Sequence, residues 1–158
     1  ILKAEGTDRV ENCTIAAVDD DRLPKMGSEK KIDTDLICLA VGLSPAVELL
    51  RTIHVPLCYI AELGGYIPLH NDEMMTKKNG LFIAGDLSGI EEASSAMEEG
   101  RLAAISAAKY IGKIQRKEYE RSHREITGSL SVLRDGPFGK IAAVSKNEIH
   151  RRFADAAY

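Results

Sequence analysis

Residues 81–100 read LFIAGDLSGIEEASSAMEEG and contain a junction between two kinds of sequence pattern. Residues 81–84 are an apolar run typical of a buried strand. From Gly89 onward, small and apolar side chains repeat at spacings of three and four, which predicts a helix that ends near Gly112. The junction therefore places Asp86 between a strand and the first turn of a helix.

The start of this helix carries two signals. Ser88 and Glu91 have the spacing of a capping box, in which each side chain bonds the backbone N–H of the other residue. Glu91 and Glu92 in the first turn would also interact favourably with the positive end of the helix dipole. We therefore expect the helix to begin at Gly89, directly after the cap.

The junction offers two kinds of group that could bind a ligand. An ionised Asp86 could accept hydrogen bonds from the hydroxyl groups of a ligand, while the free N–H groups of the helix start attract an electron-rich group. A flavin offers both, because its ribityl chain is polyhydroxylated and its pyrimidine edge gains negative charge on reduction. We expect that edge to lie over residues 91–93. The alternative is that Asp86 only caps its own turn.

Length and composition narrow the class of protein. The chain has 158 residues, 44% of them hydrophobic, and a net charge of −3. This length suits one packed core and is too short for two full-sized domains. Interleaved acidic and basic residues argue against nucleic-acid binding, and no apolar run approaches the about 18 residues of a membrane span. Three widely spaced cysteines fit a reducing compartment, so we expect a cytoplasmic protein.

Upstream of the junction the sequence predicts smaller elements. Residues 9–35 alternate apolar runs with turn residues, which is typical of a small antiparallel section, with the three aspartates at 19–21 in a solvated hairpin turn. Residues 36–41 form a nearly unbroken apolar run, which predicts a strand buried on both faces. Gly42 follows it and either lets a ligand approach the end of that strand or forms an ordinary turn.

The remaining elements are predicted from periodicity and turn residues. The sequence favours a short helix at 46–53, a short strand at 55–60, turns on either side of residues 66–69, an amphipathic helix at 114–134 and a last helix at 146–157. The last two helices form an extension that either wraps a neighbouring domain or covers its own core. The four histidines do not have the spacing of metal ligands, so no metal site is predicted.

A sequence motif lies across the junction. Thr76, Gly80-Leu81-Phe82 and Ala84-Gly85-Asp86 resemble the second FAD-binding motif of flavoproteins that have two dinucleotide-binding domains. The pyridine nucleotide-disulphide oxidoreductases belong to this group. Residues 35–42 are similar to the strand and glycine that close the NAD(P) domain and lead back to the FAD domain.

Residues 62–74 and 89–103 resemble one branch of this family, which contains sarcosine oxidase α-like proteins, opine dehydrogenases and hydrogen cyanide synthase subunits. The resemblance implies an α/β chain with a partial Rossmann-like, FAD/NAD(P)-binding fold and a helical C-terminal extension. The resemblance also implies a division of the chain into three segments. We expect the end of an NAD(P)-binding domain at 1–58, the C-terminal part of an FAD-binding domain at 59–113, and the extension at 114–158.

The resemblance also implies which residues contact the cofactors. Asp86, preceded by Gly85, would bind the ribityl chain of FAD. The residues expected under the pyrimidine edge of the flavin are Gly89, Ile90, Glu91, Glu92 and Ala93. Gly42 would lie near the nicotinamide dinucleotide or the crossing between the two domains. No catalytic residue is assigned.

Two family features are missing from the sequence, namely a G-x-G-x-x-G phosphate loop and a C-x-x-C redox pair. We therefore expect the C-terminal fragment of a longer FAD-dependent enzyme, inactive alone, whose partners are the missing N-terminal part and either other subunits or a second copy. The whole enzyme would transfer hydride between a nicotinamide cofactor and an amine or amino-acid-type substrate or an electron acceptor. The alternative is a non-catalytic association module without cofactor.

Overall fold

The computed structural model describes residues 1–136 and 139–156. The chain divides into two compact units, Ile1–Val41 and Gly42–Tyr158. Each unit has its own antiparallel sheet, and the helices belong to the second unit.

The first unit is a three-stranded sheet. Its strands, in spatial order, are β1 (Lys3–Glu5), β2 (Asn12–Ile15) and β3 (Lys30–Asp33). Cys13 on the central strand is buried and lies opposite Ala4 and Ile32. In the β2–β3 connection, the backbone N–H of Leu23 donates to Oδ1 of Asp19 at 2.8 Å. The antiparallel section predicted for residues 9–35 is confirmed.

The second unit begins with short elements and ends with long helices. Its elements in chain order are α1 (Glu48–Thr52), β4 (Leu57–Ile60), a 3₁₀ turn (Ala61–Leu63), β5 (Gly65–Pro68), a second 3₁₀ turn (Gly85–Ser88), α2 (Ala93–Tyr110), α3 (Arg116–Asp135) and α4 (Gly139–Asp155). Strands β4 and β5 pair as a hairpin. Gly64 has a φ of 90°, a left-handed conformation that glycine adopts without strain, and it turns the chain between the two strands.

Two apolar clusters hold this unit together. Leu63, Ile67 and Ile149 are fully buried, so the β4–β5 hairpin packs against α4. Leu102 and Ile126 are buried in a second cluster that joins α2 to α3. Removing such side chains from water is the main stabilising contribution in a fold of this kind. The second 3₁₀ turn also packs against α2.

The strand predicted at 36–41 is wrong. These residues have no regular structure, and the side chains of Leu36, Leu39 and Val41 are exposed by 70%, 70% and 85%. A buried strand needs a neighbouring strand for its backbone N–H and C=O groups and cover for both faces. None of the strands in the described residues pairs with this segment. Gly42 consequently does not follow a strand.

The prediction for the junction at 81–100 is also partly wrong. Residues 81–84 make one isolated bridge, between Phe82 and Met75, rather than a strand, although Ile83 is buried as expected. Helix α2 begins at Ala93 instead of Gly89, and no side chain caps it. The end of the helix agrees with the prediction, because Gly112 adopts a φ of 68° just beyond it.

The combination of helices and small sheets is consistent with the α/β expectation. Both sheets of the described residues are antiparallel, whereas a Rossmann arrangement is built on parallel strands, so the partial Rossmann-like fold stays a prediction. The predicted domain boundaries at 58 and 113 stay predictions as well. Among the described residues, no helix combines the length and apolar character that crossing a membrane requires.

Candidate functional site

Asp86 lies in the second 3₁₀ turn, Gly85–Ser88, which we call the Asp86 turn. Gly85 enters the turn with a φ of 64°, and the N–H of Gly89 closes it by donating to the carbonyl oxygen of Asp86 at 3.2 Å. The Asp86 side chain is exposed. Within the described part of the chain, its carboxylate has no hydrogen-bond or ion-pair partner, so the structure shows no capping bond from Asp86.

The start of α2 offers free backbone donors beside this turn. The first bond of the helix runs from the N–H of Ala96 to the carbonyl oxygen of Glu92 at 3.1 Å. The N–H groups of residues 93–95 therefore have no acceptor within the helix. Glu92 and Ala93 are exposed. The aligned peptide dipoles place roughly +0.5 of an elementary charge at this helix end, which favours an electron-rich ligand group.

A buried charge cluster lies directly under the Asp86 turn. We call Ser88, Glu91, Glu99, Arg134 and Lys146 the Glu99 network. Glu99 and Lys146 are only 2% and 3% exposed, and Nζ of Lys146 lies 2.6 Å from Oε1 of Glu99. The Ser88 hydroxyl donates to Oε2 of Glu99 at 2.5 Å. The network joins α2 and α4 to the last residue of the turn.

Arg134 brings the end of α3 into the same network. Its Nη2 donates to Oε1 of Glu99 at 2.6 Å and to Oε2 of Glu91 at 2.9 Å. These bonds explain the missing capping box. The Ser88 hydroxyl is engaged by Glu99, and the Glu91 carboxylate is engaged by Arg134, so neither side chain caps α2.

Opposing effects set the charge of Glu99. Burial raises the pKa of its carboxyl, but the Lys146 ammonium, the Ser88 hydroxyl and the Arg134 guanidinium outweigh burial and hold that pKa below its usual value. Glu99 is therefore a carboxylate near neutral pH. Two cations and a hydroxyl satisfy it, which is the condition under which a charge can be buried.

Sequence reasoning did not identify this network. Lys146 and Glu99 are 47 positions apart, and a contact between helices at such a separation leaves no local pattern. One signal was present in α2. Its buried residues are Ser95, Glu99, Leu102 and Ser106. Their spacing of four, three and four places Glu99 on the buried face of the helix, where an acid requires a partner.

A cleft of about 440 Å³ opens next to the network. Its lining includes Ile90, Glu91, Glu92, Arg134 and Gly139. Three of the residues predicted to lie under a flavin are therefore neighbours in space. Gly42, Gly85, Asp86, Gly89 and Ala93 are not among its lining residues in the described part of the chain.

The two outer glycines of the predicted site have different surroundings. Gly42 is exposed, with a φ of 96° and no atom within 4 Å of the position of a Cβ. Gly89 is buried with a φ of 125°, and a Cβ there would lie 3.0 Å from Cδ1 of Leu63. Packing against Leu63 therefore accounts for the glycine at 89 without a ligand.

Comparison with known proteins gives two matches. A family model described as pyridine nucleotide-disulphide oxidoreductase matches residues 1–100. An opine oxidase subunit from Rhizobium meliloti is 29% identical over 93 residues, which are 59% of this chain and 18% of that protein. The chain thus spans about a fifth of the length of the curated relative that it matches. No solved structure matches it.

Proposed function

Because this chain belongs to the pyridine nucleotide-disulphide oxidoreductase family, we propose that it is the C-terminal portion of an FAD-dependent oxidoreductase. The family match includes the whole Asp86 turn and the first turns of α2. The complete enzyme transfers hydride between a nicotinamide cofactor and an organic substrate or electron acceptor. One relative carries the name of an opine oxidase, which supports a substrate with an amine or amino-acid group.

The observation that carries this proposal is the exposed carboxylate of Asp86 beside the free N–H groups of α2. The carboxylate can accept hydrogen bonds from the ribityl hydroxyls of FAD. The backbone donors of residues 93–95 suit the pyrimidine edge, which becomes electron-rich in reduced flavin. When bound, FAD supplies the hydride chemistry, and these residues orient the cofactor.

The Glu91 side chain is compatible with this assignment. Glu91 bonds Arg134, so its charge is compensated instead of being directed at an electron-rich ring. The sequence has no glycine-rich phosphate loop, so the pyrophosphate and adenine of FAD require the N-terminal part of the enzyme. That part is the principal partner we propose, with further subunits or a second copy in addition. We place Gly42 toward NAD(P).

The test is a comparison of flavin binding by the complete enzyme and by this chain alone. We expect the complete enzyme to keep a flavin absorbance spectrum after gel filtration, and the chain alone to lose FAD. A colourless complete enzyme that gains no flavin absorbance when mixed with FAD would contradict the proposal.

The exposed apolar side chains of Leu36, Leu39 and Val41 support a second candidate function. An association module would cover such a surface with a partner. A protein that assembles with its partners but never binds FAD would favour this second function.

A further inference from the structure

The charged side chains of the Glu99 network hold both ends of the Asp86 turn. The N–H of Gly85, at the start of the turn, donates to Oε2 of Glu99 at 3.0 Å. At the end of the turn, Nζ of Lys146 donates to the carbonyl oxygen of Ser88 at 2.9 Å and to its hydroxyl at 3.0 Å. The two residues of one buried ion pair therefore anchor the turn on both sides of Asp86: Glu99 bonds Gly85 before it, and Lys146 bonds Ser88 after it.

Lys146 comes from the C-terminal extension, not from the part of the chain that matches the family model. It lies on α4, and the family match ends at residue 100. One helical turn further on, Ile149 is fully buried against the β4–β5 hairpin. Apolar packing therefore fixes the backbone of α4. The ammonium group of Lys146 is consequently held at a defined position under the Asp86 turn.

From this geometry we propose that Lys146 is a positioning residue for the flavin-binding carboxylate of Asp86, acting through Ser88 and Glu99. The inference rests on the proposed function. A residue that binds a cofactor must be held in place by its supporting contacts, and small displacements reduce affinity. A buried ion pair is often no more stabilising than apolar residues of similar size, so stability alone is a weak reason for its presence here.

The test uses two variants and a matched control. Lys146→Met removes one anchor, and Lys146→Met combined with Glu99→Leu removes the ion pair while leaving an apolar contact. Lys140→Met is the control, because Lys140 is an exposed lysine on the same helix. Three quantities are measured in the complete enzyme: FAD affinity from flavin absorbance titration, stability from urea unfolding, and exchange of individual backbone amides.

The amide of Gly89 reports on the turn, because it bonds the carbonyl oxygen of Asp86. The amide of Leu69, which bonds the carbonyl oxygen of Pro56, reports on the hairpin. In Lys146→Met we expect exchange to accelerate more at Gly89 than at Leu69, and FAD to bind about tenfold more weakly, equivalent to losing one charge-assisted hydrogen bond. Lys140→Met should change none of these quantities.

The double variant separates positioning from stability. Relative to Lys146→Met it should regain resistance to urea, because the Glu99 carboxylate, which keeps only Arg134 as a cation in the single variant, is gone. Its FAD affinity should nevertheless stay about tenfold below that of the unaltered enzyme. If FAD affinity returns together with stability, or if Gly89 and Leu69 exchange faster by the same factor in Lys146→Met, the positioning role is overturned. If the unaltered enzyme binds no FAD, the proposed function fails as well.

Discussion

Nζ of Lys146 lies 2.6 Å from Oε1 of Glu99, and both side chains are almost completely removed from solvent. Arg134 bonds the same oxygen from a less buried position, with 16% of its side chain exposed. The carboxylate thus has one deeply buried cation and one near the surface. Water can reach the site of Arg134 and partly replace its guanidinium, but it has little access to the site of Lys146.

This arrangement predicts unequal effects of removing the two cations. Lys146→Met should lower the free energy of unfolding by about 3 to 5 kcal/mol, since a buried charge loses its principal partner. The comparison variant Arg134→Met also carries Glu91→Gln, because the Glu91 side chain is 5% exposed and its carboxylate would otherwise lose the Arg134 cation. It should cost less, about 1.5 to 3 kcal/mol, because Lys146 still pairs with Glu99. Urea unfolding at neutral pH measures both. Equal losses, or a larger loss for Arg134→Met, would contradict this account.

Because His70 is buried, we expect the protein to lose stability in mild acid. Its ring is fully buried, Nδ1 lies 2.7 Å from the carbonyl oxygen of Pro68, and Nε2 has no hydrogen-bond partner among the described residues. Burial lowers the pKa of His70 from 6.5 to about 4. The unfolded chain therefore takes up a proton at a higher pH than the folded chain. Between pH 6.5 and 4, acid favours unfolding by up to about 3 kcal/mol in total.

The measurement is urea unfolding at a series of pH values across this window. His70→Gln, which stays neutral throughout, should flatten most of the pH dependence above the range in which carboxylates titrate. Part of the pH dependence will remain in this variant, because burial also lowers the pKa of His150. His54→Asn is the control, since His54 is exposed. An unchanged pH profile in His70→Gln would refute the assignment.

Two glycines predict opposite effects of the same substitution. Gly89 has a φ of 125° and lies against Leu63, so Gly89→Ala should destabilise the chain by about 1 to 3 kcal/mol through strain and overlap. Gly100 lies inside α2 with nothing within 4 Å of the added Cβ. Gly100→Ala should therefore stabilise it by about 0.5 to 1 kcal/mol. Thermal unfolding distinguishes a gain from a loss of stability, and a stabilising Gly89→Ala would contradict the close packing of Gly89 against Leu63.

Asp86 predicts an effect on cofactor binding without an effect on stability. Its carboxylate is exposed and makes no bond to the described residues, so Asp86→Asn should change the free energy of unfolding by less than about 0.5 kcal/mol. FAD affinity of the complete enzyme should fall about tenfold, because a charge-assisted hydrogen bond becomes a neutral one. Asp72→Asn, at another exposed position, serves as control. Unchanged FAD affinity in Asp86→Asn would remove the basis of the proposed function.

Elements with a complete local pattern were predicted well. Helix α3, expected at 114–134, runs from Arg116 to Asp135 and buries Tyr119, Ile126 and Leu130, which repeat at helical spacing. The strand expected at 55–60 is found at Leu57–Ile60, and the chain between the turns expected around 66–69 forms its partner strand, Gly65–Pro68. In these segments the periodicity of apolar residues decides both the element and the face that it buries.

Elements that depend on distant partners were predicted poorly. The apolar run at 36–41 has the composition of a buried strand, but composition does not supply the neighbouring strand that its backbone needs. Ser88 and Glu91 have capping-box spacing, yet their side chains bond Glu99 and Arg134 instead of the helix start. The last helix begins at Gly139, seven residues earlier than expected from the sequence.

The sequence by itself determined the position of Asp86 between an apolar run and a small-residue helix, together with the family motif that surrounds it. These features are local, because they depend on residue type and spacing within about 20 positions. Only the tertiary structure decided that a lysine of the last helix neutralises Glu99 beneath that aspartate. Charge pairs between distant segments depend on how whole helices pack, and packing becomes defined only when the chain has folded.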